Sequence, residues 1–236
     1  MDSALALIAA LAATAFSADL WVSYRSRPRP HVTAYGIGMT MFAIATWAFY
    51  VGLTFGWTGS VYRAFYLFGA VLNIPYLALG SMFLVVGRRS GNVMAIALGA
   101  FTAIATTLTT TVPFANPLPA SGVPDDIFAK GFGPQLFAII GGAMGATILV
   151  VLAVVSIVRF WRKSRHLVWG NFLIVAGTFA AASGGTGLAL GEGSAFALSL
   201  LVAVTLIWAG YRVAAGGRRR GPREVVEAGR AHQPES

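Results

Sequence analysis

Long apolar stretches separated by short polar gaps make up most of this chain. Each stretch is close to the length of about 20 residues with which a helix crosses the hydrocarbon core of a bilayer. The pattern predicts transmembrane helices at Ser3 to Val22, Val32 to Phe55, Val61 to Val86, Asn92 to Val112, Gln135 to Val158, Leu167 to Leu190 and Ser194 to Ala215. We therefore expect an all-α integral membrane protein whose residues 1–216 form a seven-transmembrane-helix bundle.

The first stretch has a second interpretation, as a secretory signal that is removed from the mature protein. A signal peptide carries positive charge before its apolar core, whereas the only charge ahead of this core is Asp2. We therefore expect a retained first helix.

Basic side chains gather in every second gap between the apolar stretches. The gaps after the first, third and fifth spans contain Arg25, Arg27, Arg29, Arg88, Arg89, Arg159, Arg162, Lys163 and Arg165. The alternate gaps, together with the span ends beside them, contain only Arg63 and Lys130 as cations. Because short cytoplasmic loops carry the excess of Arg and Lys, the N-terminus is predicted outside and the C-terminus in the cytoplasm. The basic tail, 217–236, has no apolar periodicity and is predicted to be disordered.

Composition agrees with a bilayer environment. Of the 236 residues, 57% are hydrophobic and 11% are charged, which is more apolar surface than a soluble domain buries. The net charge of +9 lies largely in the cytoplasmic gaps and tail, so anionic lipid headgroups rather than nucleic acid are the expected partners. Two Lys against fifteen Arg is typical of a GC-rich bacterial coding sequence. We expect a multi-pass protein of the bacterial plasma membrane.

The predicted membrane interior lacks the residues of common catalytic and redox sites. Asp19 and Arg63 lie near the ends of their spans, and no charged residue or His falls at mid-membrane. Proton relays, haem sites and metal-dependent hydrolases need such groups, and a retinal pigment needs a Lys in the seventh span. The chain has no Cys, which excludes disulfides and thiolate-bound metals. We predict no catalytic residue, cofactor or metal, and no enzymatic activity.

Neutral polar residues are the best candidates for a binding site. Asn73 lies near the middle of the third span, two residues before Pro75, which lacks a backbone N–H and leaves an upstream carbonyl free. Thr102 and Thr106 share a face of the fourth span. These groups have a structural alternative, since amides bond to neighbouring helices and Thr hydroxyls bond to carbonyls of their own helix.

A glycine-rich run in the sixth span is a second candidate. Three glycines within four positions weaken a helix, and an unwound run would offer backbone groups to a solute near the outer leaflet. The candidate residues here are Ser183, Gly185 and Thr186. Small residues at four-residue spacing, such as Gly141 and Gly145, instead predict close helix packing.

Two features of organisation remain open. The longest predicted outer loop, Pro113 to Pro134, contains further prolines that preclude an ordinary helix; it is either a cap over the outer mouth of the bundle or a simple connector. The basic turns also repeat between spans one to three and spans five to seven. This is the layout of two parallel three-helix repeats joined by a linker span.

The sequence favours a non-catalytic protein that binds or passively transports a small neutral or amphipathic, lipid-like molecule. An accessory or scaffold subunit of a larger membrane complex, or a homo-oligomer, is the alternative, because small-residue faces also serve partner helices. A seven-helix sensory receptor ranks third.

Overall fold

The computed structural model describes residues 2–119, 122, 124, 127–128, 133–160, 165–189 and 193–216. This part of the chain contains helices and loops but no strand. The helices are α1 (Asp2–Ser26), α2 (Pro30–Phe55), α3 (Gly59–Val85), α4 (Arg88–Thr111), α5 (Pro134–Phe160), α6 (Arg165–Ala189) and α7 (Gly193–Gly216). Each predicted span coincides with one helix, and the ends agree within four residues. The predicted tail lies outside the described residues.

Six helices are long and apolar enough to cross a membrane, namely α1 to α5 and α7. In α6 the described apolar stretch is shorter, Val168–Ala181. Large hydrophobic side chains are exposed around the outside of the bundle, including Ile96, which is 77% exposed, and Val158, which is 72% exposed. An apolar exterior of this kind is stable in lipid rather than in water. The fold is therefore that of a membrane-embedded helical protein.

Six of the helices pack in a closed ring in the order α1, α2, α3, α5, α6 and α7, and α7 packs back against α1. Helix α4 lies outside this ring, where it packs mainly on α3. The ring order is compatible with the predicted three-helix repeats, because α1 to α3 and α5 to α7 each form one continuous arc. The two arcs meet at equivalent places, α3 against α5 and α7 against α1.

Glycines allow the helix backbones of the ring to approach each other closely. A Cβ atom added at Gly141 of α5 would collide with the Val71 carbonyl oxygen of α3, and one added at Gly145 would lie 2.9 Å from the Pro75 nitrogen. Likewise, a Cβ atom at Gly210 of α7 would lie 2.6 Å from a backbone oxygen of α6. The packing role predicted for Gly141 and Gly145 is confirmed, and their partner is α3.

Polar contacts close the ring where α1 meets α7. The Trp208 indole N–H donates to the Asp19 carboxylate over 3.0 Å, and the Arg212 guanidinium donates to the same carboxylate over 3.2 Å. The Trp208 ring also stacks on Phe16 with 5.8 Å between ring centroids. Trp208 therefore joins the first helix to the last.

The glycine-rich run of the sixth span is helical, so the unwound conformation considered from the sequence is wrong. Helix α6 continues through this run to Ala189. The physical reason is the contact with α7: a Cβ atom at Gly184 would collide with the Ser199 side chain. Glycine at this position lets two helices pack tightly, and that packing offsets the low helix propensity of glycine.

Candidate functional site

The ring of helices encloses a cavity of about 400 Å³. Its walls come from α2, α3, α5, α6 and α7, and residues of the loop after α4 close one end. Cavities that bind small molecules in proteins have volumes of about 300–1,000 Å³. The cavity is therefore large enough to hold a small ligand.

An irregular segment of α3 forms one wall of the cavity. The helix is regular over Gly59–Phe65, widens to a π-helix over Tyr66–Leu72, and is regular again over Asn73–Val85. Pro75 lies in the first turn of this last segment and has no N–H to donate to a carbonyl of the preceding turn. Short π-helical segments are frequent at functional sites because they displace side chains from the regular helical register. Here the irregularity ends at Asn73.

Asn73 is the most unusual side chain on this wall. It is only 6% exposed, it lines the cavity, and its side-chain oxygen Oδ1 has no hydrogen-bond partner among the described residues. A buried polar atom without a partner costs about 1–3 kcal/mol.

Two threonines on the wall donate their hydroxyl hydrogens to backbone carbonyls of their own helices. Thr46 of α2 donates to the carbonyl oxygens of Phe42 and Ala43 over 3.0 and 2.9 Å. Thr178 of α6 donates to the Ile174 carbonyl oxygen over 2.9 Å. A hydroxyl group that donates to its own helix still accepts hydrogen bonds through its lone pairs. Both threonines are therefore acceptors toward the cavity.

The remaining walls are mostly apolar and fall into two zones. An aromatic collar lies toward the loop and consists of Tyr62, Phe65, Tyr66, Phe128 and Phe196. Its rings contact each other, with 5.0 Å between the centroids of Tyr66 and Phe128 and 6.1 Å between those of Phe65 and Phe196. An aliphatic floor at the other end consists of Met39, Leu77 and Ile207. No charged side chain is among the described residues that line the cavity.

The loop after α4 covers the cavity beside the aromatic collar. Ile127 and Phe128 are 2% and 4% exposed, and both line the cavity. The Ala115 amide donates to the Ile127 carbonyl over 2.9 Å, and the Trp57 indole donates to the Gly122 carbonyl over 2.8 Å. The described part of this loop therefore caps the bundle, as one of the two sequence interpretations predicts.

Arg63 holds this cap against α3 and α4. Its guanidinium donates to the Thr109 carbonyl and, over 2.9 Å, to the Val112 carbonyl. Carbonyls at a helix C-terminus carry partial negative charge and lack partners within the helix, so a cation is favoured there. The guanidinium also lies 4.4 Å from the centroid of the Phe114 ring. Arg63 therefore stabilises the capped end of the bundle and is not among the residues that line the cavity.

Of the predicted site residues whose surroundings the structure describes, only Asn73 lines the cavity. Pro75 is buried behind the wall against Gly145. Thr102 donates to the Leu98 carbonyl over 2.7 Å. This bond to a carbonyl of its own helix is the alternative that the sequence also predicts for the threonines. Thr106 is half-buried on α4, outside the ring.

The second predicted candidate is the glycine-rich run of α6, and none of its described residues lines the cavity. Ser183 is exposed, and its hydroxyl donates to the Ala180 carbonyl over 2.8 Å. Gly185 and Thr186 are helical, and their surroundings lie outside what the structure describes. Sequence reasoning missed Thr46, Thr178 and the aromatic collar. The spacing of Tyr62, Phe65 and Tyr66 on one helical face is the signal that indicates the collar.

A second, smaller cleft of about 280 Å³ lies at the opposite end of the bundle from the cap. It is lined by residues of the α1–α2 turn and the start of α4, including Arg29, His31 and Arg88. Two of the predicted cytoplasmic basic clusters therefore meet at one surface.

No protein-family model, curated protein or solved structure matches this chain. The chain is assigned to no family, and its function is inferred from the cavity alone.

Proposed function

We propose that this chain is a non-catalytic membrane protein that binds, or passively conducts, a small neutral or amphipathic molecule in the cavity of the helix ring. The observation that carries this proposal is the cavity of about 400 Å³ inside the ring, whose mostly apolar wall includes the side chains of Asn73, Thr46 and Thr178. Buried polar groups are normally hydrogen-bonded. An occupant with a polar group bonds to the Asn73 side chain where that side chain lines the cavity.

The charge-free lining favours passive binding or conduction over ion-coupled transport. Coupling to protons or ions needs titratable or charged groups along the path, and the described lining residues include none. The occupant itself is neutral for the same reason, because a charge inside this cavity has no counter-charge to offset its desolvation.

The proposal includes the full topology predicted from the sequence. All seven helices cross the bacterial plasma membrane, with α6 as the seventh span, the N-terminus outside and the C-terminus inside. The convergence of Arg29 and Arg88 at one end of the bundle supports this orientation. The same surface then meets anionic lipid headgroups.

A scaffold role has less support. Gly141 and Gly145, which suggest it from the sequence, are occupied within the bundle because they face α3. These positions are not free to pack against another protein.

Native mass spectrometry of the gently extracted protein tests the proposal. Ala70 lines the cavity and is itself accessible, so Ala70→Phe fills the space with little backbone disturbance. Ala103→Phe is the matched control, because Ala103 is exposed on α4, outside the ring. We expect a bound small molecule on the wild type and on Ala103→Phe, and its loss from Ala70→Phe. A stoichiometric protein partner with no bound small molecule would instead support the scaffold role.

A further inference from the structure

We infer that the cleft at the end of the bundle opposite the cap binds the phosphate group of an anionic phospholipid of the inner leaflet. This basic cleft has a volume of about 280 Å³ and is lined by Pro28, Arg29, Pro30, His31, Phe83 and Arg88. It shares no lining residue with the cavity inside the ring. The inference rests on the topology included in the proposed function, which places this end of the bundle at the cytoplasmic headgroups, and not on what the cavity holds.

Two arginines line the basic cleft from two different turns. Arg29 directly precedes α2, and Arg88 is the first residue of α4. In the part of the chain that the structure describes, neither side chain makes a hydrogen bond or an ion pair. A guanidinium group presents a planar fork of N–H donors that matches the oxygens of a phosphate group. Both side chains are therefore available to bind a phosphate group in the cleft.

The backbone adds positive potential to the charge of these arginines. Helices α2 and α4 both begin at the basic cleft, and neither start is capped by a side chain. The first amides of a helix lack carbonyl partners within it and carry partial positive charge, which favours an anion. The field of the two helices therefore has the same sign as the arginine charges.

The lining distinguishes anionic headgroups from zwitterionic ones. Phosphatidylethanolamine carries an ammonium group beside its phosphate, and two guanidinium groups repel that ammonium group. A carboxylate would offset the repulsion, but none is among the described residues that line the cleft. Phosphatidylglycerol has the same phosphate group and a neutral glycerol in place of the ammonium group. The basic cleft therefore prefers phosphatidylglycerol.

An apolar wall favours a lipid over a free phosphate ion. The Phe83 ring lies on the first turn of α4, where a Cβ atom added at Gly91 would collide with it. Phe83 also packs against a buried cluster of Ala34, Leu79 and Leu98, which joins α2, α3 and α4. This packing holds together the helix ends that carry the two arginines. Phe83 contacts the apolar part of a lipid, whereas an inorganic ion gains nothing from an apolar wall.

The test counts the lipids bound to the purified protein in detergent by native mass spectrometry. Phosphatidylglycerol and phosphatidylethanolamine with identical acyl chains are added in competition, and the ratio of the two in the first bound lipid is compared among variants. We expect the wild type to prefer phosphatidylglycerol by about fivefold or more, the effect of a basic side chain on an anionic headgroup. The variant Arg29→Gln/Arg88→Gln should lose this preference. Arg25→Gln/Arg89→Gln is the matched control, because it removes the same charge from exposed residues that do not line the cleft, and it should keep the preference.

Equal binding of the two lipids by the wild type would overturn the inference. An equal loss of preference in both double variants would also overturn it, because that result shows a diffuse charge effect. Inorganic phosphate tests the source of the phosphate group: displacement of the lipid by phosphate, but not by chloride at the same ionic strength, would show that the cleft takes a free anion. If the double variant does not fold, the single variants Arg29→Gln and Arg88→Gln, each compared with Arg89→Gln, keep the test decisive.

The variant Ala70→Phe separates this inference from the proposed cavity function. A lipid preference that survives Arg29→Gln/Arg88→Gln but disappears in Ala70→Phe would place the lipid in the cavity, which overturns the inference and supports the cavity function. A preference that is lost only in Arg29→Gln/Arg88→Gln, with no small molecule retained in the wild-type cavity, would support the inference and count against the cavity function.

Discussion

At the scale of single residues, Asn73 and Arg63 show why position decides what a polar group does. Both are polar groups of α3, but Arg63 is satisfied by carbonyls at the end of α4, while Oδ1 of Asn73 has no partner in the part of the chain that the structure describes. Arg63 stabilises the bundle, whereas Asn73 leaves an unsatisfied hydrogen-bond acceptor inside it. Sequence alone predicts Asn73 as a candidate, because an amide in the middle of a transmembrane span is unusual.

The unsatisfied oxygen of Asn73 has a measurable effect on the free energy of unfolding. Asn73→Leu removes a buried unsatisfied group, so we expect the free energy of unfolding of the ligand-free protein to stay the same or to rise by about 1 kcal/mol. Asn171→Leu is the matched control, because the Asn171 amide donates to the Ser156 hydroxyl over 3.0 Å. That variant should lose about 1 kcal/mol. Thermal unfolding in detergent measures both, and a larger loss for Asn73→Leu than for Asn171→Leu would contradict this account of Asn73.

At the scale of helices, hydrophobic length predicts where each helix lies, but it does not predict local irregularity. The bounds of the seven helices agree with the apolar stretches of the sequence within four residues, and six of these helices have the length of about 20 apolar residues that a bilayer requires. The π-helical segment Tyr66–Leu72 depends on how α3 packs against its neighbours, and Pro75 is its only signal in the sequence. The helical state of the glycine-rich run in α6 likewise depends on a contact with α7 that is remote in sequence.

The contact between α3 and α5 gives a prediction with an internal control. A Cβ atom at Gly141 would collide with the Val71 carbonyl oxygen, whereas one at Gly142, the next residue, would meet nothing within 4 Å. We expect Gly141→Ala to reduce the free energy of unfolding by about 1–3 kcal/mol through overpacking. Gly142→Ala should be neutral or raise it by up to about 1 kcal/mol through higher helix propensity. Equal effects of the two variants in thermal unfolding would show that α5 does not approach α3 in this way.

At the scale of the whole molecule, the ring arrangement decides which polar residues form a site. Thr46, Asn73 and Thr178 come from three different helices and meet at one cavity only because α2, α3 and α6 belong to the ring. Thr102 and Thr106 do not line the cavity, because α4 lies outside the ring. The order of helices in the bundle depends on side-chain complementarity across many contacts, which hydrophobic periodicity does not encode. The site was therefore only partly predictable.

The proposed orientation is tested at the two ends of α4. The chain has no Cys, so single cysteines can be introduced at Ser90 and Ala115, both of which are exposed. In intact cells, a membrane-impermeant maleimide should label Ala115→Cys at once and Ser90→Cys only after permeabilisation. The basic residues beside Ser90 are the physical reason, since they remain in the cytoplasm. The opposite labelling pattern would show that the topology is the inverse of the one proposed.

The central claim is that the ring holds a small neutral or amphipathic molecule in its cavity. The most direct measurement is a cryo-electron microscopy map of the protein purified in native lipid. The account predicts density in the cavity, between the aromatic collar and the Asn73 side chain. A cavity that is empty or filled by rearranged side chains, with Asn73 bonded to a neighbouring helix, would contradict it.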